Sequence, residues 1–289
     1  MNFIIITPYY NAGAFIGEAI DSIKQQTYPH FRCIILDDMS TDDSVRIVRE
    51  HIGDDARFQL VVNQEKRFAL GNVAHALALL QPQPDDVVMV VDGDDKLAHA
   101  GVLDVVKRVY EETGCWLTHG SYVNQYGKRD SICRPYAQSI IKHNTFREHK
   151  WLAQHLRTFK YGLWQKIKST DFTITESELR RTIWRALLKG HLRSWYYWRK
   201  ITLEQLLTPS KQFVRRLCDK TASYSMLEMA GPRTQFIEEV LYSHRVYDKT
   251  LDYRAPRTTA QMNQKWFTRC IRDIVVHKPK YSRLSNLNT

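Results

Sequence analysis

Short apolar runs and helical repeats of apolar residues alternate along the first part of the chain. Phe3 to Ile6 is continuously apolar and rich in β-branched isoleucine, and it stops at Thr7-Pro8. That pattern predicts a strand buried on both faces, and so a central strand of a parallel sheet. Phe15, Ile16, Ala19, Ile20 and Ile23 then recur at helical spacing, and Cys33 to Leu36 supplies a second strand. Ser40 or Thr41 is placed to cap the next helix, with Asp42 and Asp43 in its first turn and Val45, Ile47 and Val48 on its apolar side. Phe58 to Val62 reads as a third strand. Ala69 to Leu80 reads as a helix that ends before Pro82 and Pro84, and Val87 to Val91 as a fourth buried strand.

The fourth strand runs straight into Asp92-Gly93-Asp94-Asp95. In a doubly wound sheet the C-terminal ends of the strands form the ligand crevice, so fold class and site position agree. A helix near Val102 to Glu112 follows, and after Trp116 to Val123 the chain becomes irregular and tyrosine-rich. Residues 176 to 207 read as helical, with Leu179, Ile183, Leu187 and Leu188 on one side and Arg180, Arg181, Arg185, Lys189 and Arg193 among them. A late helix is predicted over Ala222 to Ala230, before Gly231-Pro232, and the tail from Lys265 is basic with little pattern.

Composition adds bounds. The 289 residues, 43% of them hydrophobic, suffice for a large core. The first apolar run is too short for a signal-peptide core, and no stretch of about 18 apolar residues reads as a membrane span. Five cysteines without a Cys-x-x-Cys pair are read as reduced and structural. A formal charge of +11 suits an anionic partner: a phosphate-rich donor, a lipid surface or nucleic acid. Nucleic acid is the weakest of these, because it leaves the acidic cluster without a role.

Three carboxylates within four positions repel one another unless a cation neutralises them, and Mn²⁺ or Mg²⁺ held by one or two carboxylates, phosphate oxygens and water is the natural partner. The plainer reading is an acidic turn with helix-capping aspartates.

TPYYN at 7 to 11, QQTYPHF at 25 to 31, DDMSTDDS at 37 to 44 and DGDD at 92 to 95 occur in order. Together they resemble family 2 glycosyltransferases of the GT-A fold, over about the first 120 residues. WLAQHLRTFKYGLW at 151 to 164 and MLEMAG at 226 to 231 resemble segments of one bacterial and viral branch. The resemblance implies a Rossmann-like, mostly parallel sheet flanked by helices, with a helical C-terminal region: a nucleotide-sugar domain over 1–120 and an acceptor side over 121–289. It implies a uridine pocket of Thr7, Pro8 and Tyr9, with Asp38 reaching the base, and Arg67 near the diphosphate, where a residue smaller than Phe68 is expected. Asp92 and Gly93 complete the donor site, and Asp92, Asp94 and His244 are the metal candidates. Asp219 stands at the position of the catalytic base, with helix capping as its alternative role, and Glu228 is the reserve. His155 and Arg157 are weaker candidates for acceptor or phosphate contact.

The expected reaction is inverting transfer of a hexosyl residue from a UDP-sugar to a hydroxyl of a glycan or lipid-linked glycan, in surface polysaccharide biosynthesis. The alternative is a catalytically inactive sugar- or nucleotide-binding protein on the same fold. Relative to compact members of that branch, the resemblance implies that residues 171–218 are an insertion, and their arginines and aromatics suit either peripheral contact with an anionic membrane or packing on the core. The expected location is the cytoplasm, at the inner face of the membrane where the insertion meets lipid.

Overall fold

The computed structural model describes residues 1–246 and 259–287, with side chains from Gln264 in the second segment. The eight strands are β1 (Phe3–Tyr9), β2 (Phe31–Asp37), β3 (Phe58–Val62), β4 (Val87–Val90), β5 (Lys96–Leu97), β6 (Leu117–Asn124), β7 (Thr158–Lys160) and β8 (Thr234–His244). They form one sheet in the order β3-β2-β1-β4-β7-β6-β8-β5. β1 lies between β2 and β4 and pairs parallel with both, as the unbroken apolar run predicts. β7 is antiparallel to β4 and to β6, and β6 and β8 are parallel. The position taken as the end of the first region, residue 120, falls inside β6, and strands from both sides of it share the sheet.

The period-two alternation of side chains sends successive residues to opposite faces, and both faces are covered. Ile4, Ile6, Ile34, Leu36 and Val88 belong to one core. Phe3, Ile5, Cys33, Ile35 and Met89 belong to the other. The second core is closed by α1 (Ile16–Lys24), α2 (Ser44–Ile52) and α4 (Val102–Thr113). The first is closed by α3 (Phe68–Leu80), then by α5 (Gln138–His143), α6 (Tyr161–Gln165), α7 (Glu176–Leu188), α8 (Leu192–Trp198), α9 (Leu203–Leu206), α10 (Cys218–Ala230) and α11 (Thr259–Val276). Helices on both faces of a mostly parallel sheet make this an α/β fold of three layers.

Three local expectations need correction. Neither Ser40 nor Thr41 caps α2, which begins at Ser44 behind Asp43. Ser40 instead donates its N–H to Asp37, and Thr41 donates its N–H to Asn11, so this stretch braces the loop after β1. Asp219 is not an N-cap either: Leu217 holds that position and Asp219 is the second residue of α10. The tail is helical where no pattern was read, because Trp266, Cys270, Ile271, Ile274 and Val275 bury one face of α11 between its basic residues.

α7 shows how sequence sets a boundary. Thr175 accepts the N–H of Glu178 while the Glu178 carboxylate accepts the N–H of Thr175, a reciprocal box that satisfies two otherwise orphaned donors. The free cysteines are mostly buried, as the structural reading requires, and burial raises the Cys33, Cys218 and Cys270 thiols to about 12.

Gly93 is required by close approach. A Cβ there would lie 2.5 Å from Cβ of Tyr9 and 3.0 Å from Cδ1 of Ile16. Gly93→Ala should therefore push the β4 loop off β1 and cost about 1–3 kcal/mol. The check is the urea midpoint, and an unchanged midpoint would show that the loop moves freely.

Candidate active site

β1, β2 and β4 run parallel and end side by side, so the loops after them converge. Pro8, Tyr9 and Tyr10 from the first, Asp38 from the second and Asp92, Gly93 and Asp94 from the third line a cleft of about 580 Å³. The start of α3 closes it with Lys66, Phe68 and Asn72, and Arg216 and Gln264 line it from the C-terminal region. A second cavity of about 240 Å³ shares Ala69 and Asp92 with the cleft. Its polar wall is Asp92, His155, Arg157 and Asp219, and its apolar wall includes Leu70, Val73, Phe159, Trp164 and Met226.

Within the acidic loop the aspartates divide. Asp95 is only 3% exposed and its carboxylate is fully engaged. It accepts from Tyr242 Oη at 2.9 Å and Arg245 N at 2.7 Å, and it pairs with His244 Nδ1 at 3.0 Å. Tyr242 Oη also accepts the N–H of Asp92 at 3.1 Å, and Arg245 Nε donates to the carbonyl of Asp94. Asp95 thus ties the loop to the end of β8 and leaves Asp92 and Asp94 to face the cleft. Burial, then the negative charges of Asp95 and Asp94, push the Asp92 carboxyl up to about 7. Such a carboxylate is stabilised in its charged form by an incoming cation.

No three His, Cys, Asp or Glu side chains are grouped to hold an ion among the described residues. His244 is not grouped with Asp92 and Asp94 as a three-ligand set among the described residues; its Nδ1 pairs with Asp95, whose hydrogen bond and charge raise its pKa, and this leaves Nε2 uncommitted. Two carboxylates still fit a hard divalent ion whose other ligands are phosphate oxygens and water. His155 stacks on Tyr242 at 4.6 Å and on His244 at 5.6 Å between ring centroids. Burial, then Arg157 and His244, hold His155 well below the usual histidine range, so it is neutral.

Other expected positions shift. Thr7 is fully buried inside β1 with its hydroxyl against Cys33 Sγ, so it does not line the cleft. Asp38 lines the cleft, but its carboxylate accepts the N–H of Arg67 at 2.8 Å, that of Phe68 at 3.1 Å and Asn63 Nδ2 at 3.3 Å, with Lys66 Nζ at 3.5 Å. Those donors fill its roughly four acceptor sites, which makes it a bracket for the loop before α3 instead of an open acceptor for a base. The Arg67 guanidinium pairs with Glu65 outside the cleft, and the cation of this loop that lines the cleft is Lys66, 3.0 Å over the Tyr10 ring. Phe68 has φ of 58°, a left-handed backbone open to glycine and costing a bulky residue about 1–3 kcal/mol. The expectation of a smaller residue there has this physical basis, and Asp38 holds the strained turn in place.

Glu228 is the clearest correction. It is 0% exposed, forms a two-pronged pair with Arg147 at 2.6 and 2.9 Å, and accepts the N–H of Tyr281. It lines neither cavity and has no free oxygen with which to take a proton. Asp219 lines the second cavity, in the first turn of α10, where the helix N-terminus favours its charge. Tyr10 and Arg216 were not singled out as donor-site residues in the sequence, and of the adjacent cations Lys66 and Arg67 the sequence reading preferred Arg67. Tyr10 lies within the TPYYN motif, whereas nothing local marks Arg216.

Residues 4–181 match Glycosyl transferase family 2, more than half of the chain, and the protein belongs to that family. It is 37% identical over 92 residues to the putative teichuronic acid biosynthesis glycosyltransferase TuaG of Bacillus subtilis, a match spanning 32% of this chain and 35% of that protein. Among solved structures it is similar to S. aureus TarS 1–349 in complex with UDP-GlcNAc, with a TM-score of 0.53 at 14% identity, covering 92% of this chain and 64% of that one. It is also similar to glucosyl-3-phosphoglycerate synthase from Mycobacterium tuberculosis in complex with Mn²⁺, UDP and glucosyl-3-phosphoglycerate, with a TM-score of 0.51 at 13% identity, covering 85% and 72%. Those two likenesses establish the GT-A fold.

Removing one partner of a buried ion pair strands a charge. Glu228→Ala should therefore lower stability by about 3–5 kcal/mol, and Arg147→Met with Glu228→Leu should recover most of it. Urea denaturation checks this. A stable single variant with abolished catalysis would instead restore Glu228 as a candidate base.

Proposed function

We propose that the protein is an inverting glycosyltransferase that moves a hexosyl residue from a UDP-sugar to a hydroxyl of a glycan or lipid-linked glycan. The observation that carries this reading is the meeting of two cavities at Asp92, with Asp219 on the wall of the second. The first has cleft geometry suited to a nucleoside diphosphate: aromatic Tyr9 and Tyr10, the cations Lys66 and Arg216, and the carboxylates Asp92 and Asp94. Residues 1–120 then supply most of the donor side and 121–289 the acceptor side.

Asp92 and Asp94 would hold Mn²⁺ or Mg²⁺, which supplies Lewis-acid stabilisation of the departing diphosphate. Asp219 accepts the proton of the acceptor hydroxyl as that oxygen forms its bond to the anomeric carbon. The bond from that carbon to the β-phosphate oxygen breaks on the opposite face, and UDP leaves with the electron pair. Lys66 and Arg216 bear on the diphosphate charge, and neutral His155 with Trp164 shapes the acceptor cavity. Similarity to one protein named for teichuronic acid biosynthesis and to the poly(ribitol-phosphate) beta-N-acetylglucosaminyltransferase TarS supports an acceptor belonging to a surface polymer.

The test is release of free nucleoside diphosphate from a panel of UDP-, GDP- and TDP-sugars with Mn²⁺. One UDP-sugar should be hydrolysed slowly, and Asp94→Ala should abolish both this and metal-dependent UDP binding. Asp219→Asn should leave UDP affinity within about twofold of wild type while lowering transfer by about 10²–10⁴ once an acceptor is supplied. Binding without turnover for any donor would favour a binding protein, and no metal-dependent UDP binding at all would remove the donor site.

A further inference from the structure

The segment over residues 171–218 does two things at once, and its aromatics divide between them. Trp198 is buried, and Tyr197 stacks on Trp266 of α11 with ring centroids 4.5 Å apart. Leu179, Thr182 and Ala186 bury the inner face of α7. This half of the segment is core, as the packing alternative expected.

The outer half is the opposite of a normal solvated face. Trp184 is 63% exposed, Leu188 83%, Leu192 62% and Tyr196 43%. Trp184 and Leu188 are one helical turn apart on α7, and Leu192 and Tyr196 are one turn apart on α8, so each helix presents an outward apolar ridge. Elsewhere among the described residues, exposed large apolar side chains are dispersed along the chain. Single exposed apolar residues are ordinary; four within 13 positions on a helical hairpin mark a contact surface.

Charge says what that surface meets. Residues 176–200 carry seven basic and two acidic side chains. One of the acids, Glu178, is spent on the helix cap and on Lys278, and the other, Glu176, pairs with Arg180. Arg181, Lys189, Arg193, Arg199 and Lys200 are exposed beside the apolar ridge. A protein partner would need a matching acidic rim around an apolar socket. An anionic bilayer provides both everywhere: headgroup phosphates at the height of the cations, acyl chains below for Trp184 and Leu188.

We propose that the outward face of α7 and α8 docks on the surface of an anionic lipid bilayer, with Trp184, Leu188, Leu192 and Tyr196 entering the headgroup boundary and the flanking arginines and lysines contacting lipid phosphate. This stands on exposure and charge and does not depend on the transfer reaction. α11 packs against both helices and also lines the donor cleft through Gln264, so docking fixes the orientation of the cleft relative to the bilayer.

The experiment is sedimentation of the whole protein with phosphatidylglycerol-containing vesicles and with phosphatidylcholine vesicles. Binding to the anionic vesicles should be at least about tenfold stronger and should weaken as salt is raised. Trp184→Ser with Leu188→Ser should lower the partition coefficient by at least about tenfold, and Arg181→Glu with Lys189→Glu should do the same, while the circular dichroism spectrum and melting temperature stay unchanged. No sedimentation with anionic vesicles, or sedimentation that both double variants leave intact, overturns the proposal. Concentration-dependent dimerisation abolished by the same variants, without vesicle binding, overturns it in favour of a second copy of this chain.

Discussion

The active-site geometry hangs on one buried carboxylate. Asp95 gathers Tyr242, His244 and the backbone of Arg245, all from the end of β8 or just beyond it, around a loop that leaves β4. A buried charge is tolerable only when fully hydrogen-bonded, and hydrogen bonds to an ionised acceptor are the strong ones. Because Tyr242 also receives the N–H of Asp92, the same bracket that satisfies Asp95 orients the backbone of its neighbour two residues earlier than Asp94. β4 and β8 lie in opposite halves of the chain. The C-terminal half therefore completes a site that the N-terminal half begins.

That bracket also sets the electrostatics. Asp92 lies in a desolvated position beside the Asp95 and Asp94 carboxylates, and its carboxyl is pushed up to about 7. Arg157 and His244 oppose the shift without cancelling it. Placing acids so close creates a local demand for positive charge, and Lys66 and Arg216 sit across the cleft without meeting it directly. Burial lowers the pKa of Arg216, as for a guanidinium partly withdrawn from water. A ligand that carries both anionic oxygens and a divalent cation satisfies the two sides together, which neither a bare anion nor a bare cation does.

Much of this was legible. β1 to β4, with the helices between them, follow from apolar runs and helical spacing, and Asp92 and Asp94 follow from their place after a buried strand. Local pattern works there because each element meets the core through neighbours close in sequence. Long-range pairing was invisible. Nothing near Glu228 announces Arg147, 81 residues away, so a buried structural acid was read as a candidate base. Asp38 is likewise filled by donors 25 to 30 residues later. α11 was missed for a different reason: its buried positions do repeat at helical spacing, but the arginines between them obscure the stripe.

The segment that carries α7 and α8 joins these two kinds of information. Its composition, aromatic and basic together, admits both core packing and an interface, and only the rotation of each helix decides which residue does which. Along α8, Trp198 turns inward while Leu192 and Tyr196 turn outward, a division that follows from helical geometry once one face has docked on α11. A helix docked on one side only would ordinarily carry polar residues on the other. Here the outward side keeps apolar residues among exposed cations, so the sequence spends solubility that the fold itself does not require. Stability of the chain alone gives no reason for Leu188 at 83% exposure. A surface outside the chain does, and the excess of basic over acidic side chains on that hairpin fixes its sign.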